Sequence, residues 1–131
     1  MKANELQIGD YVNYRGQIIK VTSLYDKGGS NEVGWSNKES VWVNASNVEP
    51  IPLTPEILEK NGFVNDRGIY CWRDENKQIT YFSKENNRPY CTYSFVNIES
   101  GCIDVNELPM EYVHELQHTL RLCGIKIEIE L

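Results

Sequence analysis

The chain has 131 residues and a mass of 15.2 kDa, the size of one domain or of one domain with a small appended module. Apolar residues make up 40% and charged residues 24%, a balance that argues against global disorder and allows a core without metal or disulfide staples. Thirteen basic against nineteen acidic residues leave a net charge of −6, which opposes whole-molecule attraction to DNA, RNA or anionic lipid.

In chain order, the opening Met1-Lys2-Ala3-Asn4-Glu5-Leu6-Gln7 has no apolar run after the lysine, so the reading is a cytoplasmic protein without a secretory signal. No apolar stretch approaches the roughly 20 residues of a membrane helix, and no membrane partner is expected. Residues 6–14 enter a strand through Gly9-Asp10, Arg15-Gly16-Gln17 makes a tight turn, and residues 18–25 form the next strand. After a loop at Gly28-Gly29-Ser30-Asn31, residues 32–36 and 40–44 read as two more short strands joined by a polar turn. So many strands in about 45 residues predict a small, strongly bent sheet. The pattern Leu6-x-x-Gly9-Asp10-x-Val12-x-Tyr14, with Val21, resembles an SH3-like small barrel, which would occupy residues 1–50.

Pro50 and Pro52 break this pattern, and residues 51–131 read as an antiparallel sheet plus a C-terminal helix in one compact unit. Thr54-Pro55-Glu56 opens a short helix, with Thr54 as N-cap and Pro55 at the first helical position, running to about Asn61 and stopping at Gly62. Strands are predicted at 68–73, 78–83, 90–98 and 102–105, with a turn at Asp74-Glu75-Asn76-Lys77 and a polar loop at 84–89. A longer helix from about Pro109 to Cys123, ended by Gly124, places Met110, Val113, Leu116, Gln117, Leu120 and Cys123 on the side that covers the sheet. Its opposite side, with Glu111, His114, Glu115, His118 and Arg121, is expected to face solvent. The tail Ile125-Lys126-Ile127-Glu128-Ile129-Glu130-Leu131 alternates apolar and charged residues and reads as a half-buried strand. The expected fold class is therefore α+β.

Cys71, Cys91, Cys102 and Cys123 are spaced by 20, 11 and 21 residues, without a C-x-x-C pair. That spacing suits neither a zinc knuckle nor a redox pair, and they read as reduced, mostly buried small apolar residues. His114-Glu115-Leu116-Gln117-His118 is a literal H-E-x-x-H on a predicted helix. In a zinc hydrolase, His114 and His118 would bind the metal and Glu115 would act as general base on its water. A third ligand is also required, yet only 13 residues follow His118, and Glu128 and Glu130 are their only acidic members. The reading without a cofactor therefore leads, and zinc enters only under the hydrolase alternative.

Residues 60–90 hold six basic and four acidic side chains among Phe63, Tyr70, Trp72, Tyr81, Phe82 and Tyr90. Aromatics flanked by cations suit the stacking of unpaired bases, so Tyr70, Trp72, Arg73, Tyr81 and Arg88 form a candidate binding surface, with a single-stranded nucleic-acid binder as a further alternative disfavoured by net charge. Residues 96–131, with two basic and seven acidic side chains, could instead dock on a basic protein surface. Neither a phosphate-binding glycine loop with Lys-Ser/Thr nor a G-x-S-x-G elbow is present, so nucleotide-driven and serine-hydrolase chemistry have no support.

Three stretches together resemble a group of small uncharacterised proteins of phages, prophages and mobile elements of gut anaerobic bacteria. They are Lys2-Ala3-Asn4-Glu5-Leu6-Gln7-Ile8-Gly9-Asp10-Tyr11-Val12, Ile51-Pro52-Leu53-Thr54-Pro55-Glu56-Ile57-Leu58 and Tyr112-Val113-His114-Glu115-Leu116-Gln117. The resemblance supplies little chemistry; its closing pattern is a His-x-Leu-Gln helix that requires neither Glu115 nor His118, which lowers the hydrolase reading. It implies a nonenzymatic accessory protein that contacts a protein partner.

Overall fold

The computed structural model describes residues 1–36, 40–74, 77–82, 90–96 and 103–131, with Ser36, Ser40 and the segments 90–96 and 103–109 described by their backbone alone. The protein is α+β, mostly antiparallel strands with one main helix. It divides into two compact units, one of Met1–Pro52 with Tyr112–His114, the other of Leu53–Glu111 with Glu115–Leu131.

In the first unit a 3-10 turn at Ala3–Glu5 precedes β1 (Tyr11–Tyr14), β2 (Gln17–Lys20), β3 (Ser23–Lys27), β4 (Ser30–Ser36) and β5 (Ser40–Asn44), followed by a second 3-10 turn at Ala45–Asn47. Strands β1 and β2 form a hairpin closed by Arg15 and Gly16, at φ 50° and 81°, and Gly28-Gly29 closes β3 onto β4 in the same way. Two central residues with positive φ give the turn whose twist matches that of paired strands. Because Gly28 and Gly29 both adopt it at no steric cost, pairing starts at Lys27↔Ser30, and Ser30 and Asn31 belong to β4 rather than to the expected loop.

The single strand expected at 18–25 is two. The Val21 N–H donates to the Asp10 carbonyl at 2.8 Å, whereas the next N–H, that of Thr22, donates to the Gly34 carbonyl at 2.9 Å. The chain therefore changes partner between these residues, leaving β1–β2 as one sheet and β3–β4–β5 as another. Beyond the second 3-10 turn, Glu49 and Asn13 exchange backbone hydrogen bonds at 2.8 and 2.9 Å. The ladders do not close into a barrel among the described residues. The buried residues Ala3, Leu6, Val12, Ile19, Val21, Val33, Ala45 and Val48 make the core, with Tyr14, Leu24, Trp35 and Val43 packed on it. Val113, also of this unit, donates its N–H to the Ile51 carbonyl at 2.9 Å.

In the second unit, α1 (Pro55–Lys60) starts as expected, with Thr54 Oγ1 accepting from the Ile57 N–H at 3.3 Å and Gly62 past its end at φ 89°. A five-stranded antiparallel meander follows: β6 (Val64–Asp66), β7 (Ile69–Arg73), β8 (Lys77–Phe82), β9 (Tyr90–Val96) and β10 (Ile103–Pro109), side by side in chain order. Strand β6 was not expected; Arg67 and Gly68, at φ 54° and 85°, turn it back onto β7. Strand β10 runs four residues beyond the expected 105, so Pro109 ends a strand and α2 (Val113–Leu122) begins later than expected. The expected loop at 84–89, Cys102 and the strand end at 97–98 lie outside the described residues.

The end of α2 is closed by two bonds, Gly124 N–H to the Arg121 carbonyl at 3.0 Å and Ile125 N–H to the Leu120 carbonyl at 2.8 Å, with Gly124 at φ 69°. This pair of bonds is the Schellman arrangement, and its apolar partners Leu120 and Ile125 are both buried. The tail is not a strand. Ile125 and Ile129 are buried and Lys126, Glu128 and Glu130 exposed, so the alternation governs burial, but the tail joins no ladder among the described residues. Asn61 takes the place of a neighbouring strand, its amide bonding both the N–H and the carbonyl of Glu130 at 2.8 Å.

Candidate binding surfaces

Alternation along β3, β4 and β5 puts Val33, Leu24 and Val43 on the core face of the first unit. It leaves Ser23, Tyr25, Lys27, Ser30, Glu32, Gly34, Trp42 and Asn44 on the other face. On that face Trp42 is 47% and Tyr25 46% exposed. Gly34 is the cross-strand partner of both Ser23 and Trp42, and a Cβ placed on it would lie 3.1 Å from Trp42 Cδ2 and Cε3 and would collide with Ser23 Oγ. The glycine thus lets the indole lean across the central strand, its benzo edge against backbone and its outer side toward solvent. Glu32 lies two residues from Gly34 and directly opposite Tyr25, so by register a glutamate falls on this face between the positions of the two aromatic residues. Nothing in the sequence reading singled out this surface. A signal existed: in Ser40-Val41-Trp42-Val43-Asn44 the valines share the apolar register, and Trp42 falls in the polar one with Ser40 and Asn44.

The surface expected between residues 70 and 88 is divided. Tyr70 and Tyr81, only 8% and 5% exposed, are core residues that pair across β7 and β8, with ring centroids 6.3 Å apart and nearly edge-on. Burial, and then the neighbouring Tyr70 and Glu111, push the Tyr81 phenol above its ordinary pKa. Neither ring is open to a stacked base, because the strand register that aligns them with Ile79 turns them inward. Trp72 shares their face and is half-buried, and Arg88 lies outside the described residues. Among the described residues of this surface Arg73 alone is exposed. It projects from the opposite face into an open groove of about 530 Å³ lined by Gly62, Val64, Asn65, Asp66, Cys71 and Arg73. Within that groove Arg73 and Asp66 carry opposite charges beside the exposed Val64.

The H-E-x-x-H residues are placed differently from expectation. His114, on the side of α2 expected to face solvent, is 6% exposed and stacks on Tyr112 with centroids 5.8 Å apart and planes 11° from parallel. His118 and Glu115 are half-buried, and Thr119 is buried as well, so the apolar stripe does not mark the only covered side of the helix. Glu115, third residue of α2, accepts a 2.6 Å hydrogen bond through Oε2 from the backbone N–H of Glu111, two residues before the helix. This places a carboxylate at the positive end of the helix and satisfies a donor outside it, a variant of the reciprocal bond at helix starts. Among the described residues no three His, Cys, Asp or Glu side chains are grouped closely enough to hold a metal ion.

Of the cysteines, Cys123 is buried and Cys71 half-buried, both as free thiols. Burial raises the pKa of Cys123 against the opposing pull of Lys77. No helix among the described residues is long and apolar enough to cross a membrane. No protein-family model matches the chain, nor does any curated protein or solved structure.

Proposed function

We propose that the protein is a nonenzymatic binding protein, a cytoplasmic accessory of a phage or mobile element, and that it acts by contacting a protein partner. The observation that carries this reading is the half-exposed Trp42 leaning on Gly34, on the same sheet face as the half-exposed Tyr25. Large aromatic side chains on rigid strands are the residue types that dominate binding energy at protein interfaces, because they bury much area at small entropic cost. The origin in a mobile element rests on the three stretches at 2–12, 51–58 and 112–117. The first unit is read as an open SH3-like barrel. In support, β1 pairs with β2 and also exchanges hydrogen bonds with Glu49, and the chain changes sheets at Val21–Thr22. A zinc hydrolase is the weaker reading because Glu115, its general base, is held by the Glu111 backbone. A nucleic-acid binder is weaker because two of its stacking residues, Tyr70 and Tyr81, are in the core.

Affinity capture from cells of the natural host, with the full chain and its Trp42→Ala variant side by side, tests the proposal. A specific protein retained by the first and lost from the second is the expected result. Recovery of no specific protein, or one held equally by both, overturns it.

A further inference from the structure

We infer that the outer face of β3–β4–β5 receives an arginine side chain of a basic segment in the partner, stacked on Trp42 and paired with Glu32. The inference deepens the protein-binding reading and rests on it. Groups that stack on an exposed indole include a nucleobase, a proline ring and a cationic side chain. The charges on this face decide among them. Glu32 stands between Tyr25, its cross-strand neighbour, and Gly34, on which Trp42 leans, and among the described residues the one cation of the face, Lys27, lies at its end in the Lys27↔Ser30 pair. A stacked base brings a phosphate toward Glu32, and the first 50 residues, five basic against six acidic, supply no compensating field. A proline ring would strip water from Glu32 and offer it no donor, leaving a desolvated carboxylate unpaired.

An arginine satisfies both features at once. Its planar guanidinium lies on the indole face while its N–H groups reach the carboxylate, a combination a lysine ammonium reproduces less well because it lacks a plane and a fork. The site is largely organised before binding. Gly34 sets how Trp42 lies, and the position of Glu32 is fixed by its pairing with Tyr25 on one side and Asn44 on the other.

The probe is a capped peptide of alternating glycine and arginine, titrated into the isotope-labelled full chain and followed through backbone amide and indole N–H resonances. Its counterpart with citrulline, a neutral isostere of arginine, serves as control. The arginine peptide should shift the resonances of Trp42, Gly34 and Glu32, and the citrulline peptide should bind at least about tenfold more weakly. Trp42→Ala and, separately, the isosteric Glu32→Gln should each weaken binding about five- to tenfold with the thermal midpoint of the Glu32→Gln protein unchanged. Equal binding of the citrulline peptide, stronger binding of an oligothymidylate or a polyproline peptide at this face, or no effect of Glu32→Gln overturns the inference. So does the absence of any shift at Trp42. A host protein still captured in a Trp42-dependent way would then leave the broader protein-binding reading standing and remove arginine as its target.

Discussion

Asn61 and Glu130 bind each other as two strands would: the side-chain Oδ1 accepts from the Glu130 N–H, and Nδ2 donates to the Glu130 carbonyl, both at 2.8 Å. The same Nδ2 also donates to the Ile57 carbonyl at 2.7 Å, so one buried amide both closes α1 and holds the tail. Lys60 Nζ adds a 2.9 Å bond to the Leu131 carbonyl, but that bond is solvent-exposed and contributes little.

Replacing Asn61 with alanine removes three hydrogen bonds, to the N–H and carbonyl of Glu130 and to the carbonyl of Ile57. The expected loss is about 1–3 kcal/mol in urea denaturation, because each of these part-buried bonds contributes about 0.5–1.5 kcal/mol net. Limited proteolysis should cut the tail faster in the variant than in the parent. An unchanged urea midpoint and cleavage rate would show that burial of Ile125 and Ile129 suffices to hold the tail.

Glu115 separates a structural carboxylate from a catalytic one. If its work is to accept the Glu111 N–H, Glu115→Gln keeps an acceptor and should cost a few tenths of a kcal/mol, whereas Glu115→Ala should cost about 0.5–2 kcal/mol. Thermal melts of the two proteins decide this. Calorimetric titration with zinc, with and without His118→Ala, completes the comparison: a tight, His118-dependent site would reinstate the metal reading.

Two hairpin turns have arginine where the backbone wants another residue. Arg15 and Arg67 hold φ at 50° and 54°, each directly before a glycine at positive φ. Asparagine tolerates this region better than other side chains, and Asn-Gly is the preferred pair for such turns. Arg15→Asn and Arg67→Asn should each raise stability by up to about 1 kcal/mol, read from the shift in the denaturation midpoint. A drop in midpoint would mean that the arginine side chains contribute interactions outweighing the backbone gain.

Alkaline pH should weaken the second unit. Cys123 and Tyr81 both titrate above their ordinary values of 9.0 and 10.0, chiefly because burial penalises the charged form. From about pH 9 upward the unfolded chain releases protons that the folded chain still holds. Stability is therefore complete below the ordinary values and falls as the pH rises toward and through the folded ones. Denaturation midpoints between pH 7 and 11 should decline, and Cys123→Ala with Tyr81→Phe should flatten that decline. At neutral pH the Cys123 thiol should react slowly with a disulfide reagent, being both buried and protonated.

Local chemistry was readable wherever one or two residues set the backbone. The Thr54-Pro55 start of α1, the turn at Arg15-Gly16, the stop at Gly124 and the buried stripe of α2 follow from capping, positive φ and helical periodicity. The sheet partners did not follow. A run such as 18–25 is equally good as one strand or two, and only the competing acceptors Asp10 and Gly34 divide it. Strand β6 went unread because Val64-Asn65-Asp66 is too short to show alternation and is defined by its pairing with β7.

By itself the sequence determined the α+β class, the turn and cap positions, and which residues of the tail are buried, because these depend on neighbours within a few positions. Tertiary structure decided which faces are open. It turned Tyr70 and Tyr81 inward, buried His114 on Tyr112, gave the tail a side-chain amide in place of a strand, and left Trp42 outward over Gly34. Each of these depends on a residue distant in the chain or on the side of a sheet that the rest of the fold covers. Composition does not encode that information, since the same aromatic can fill a core or present a ring to a partner.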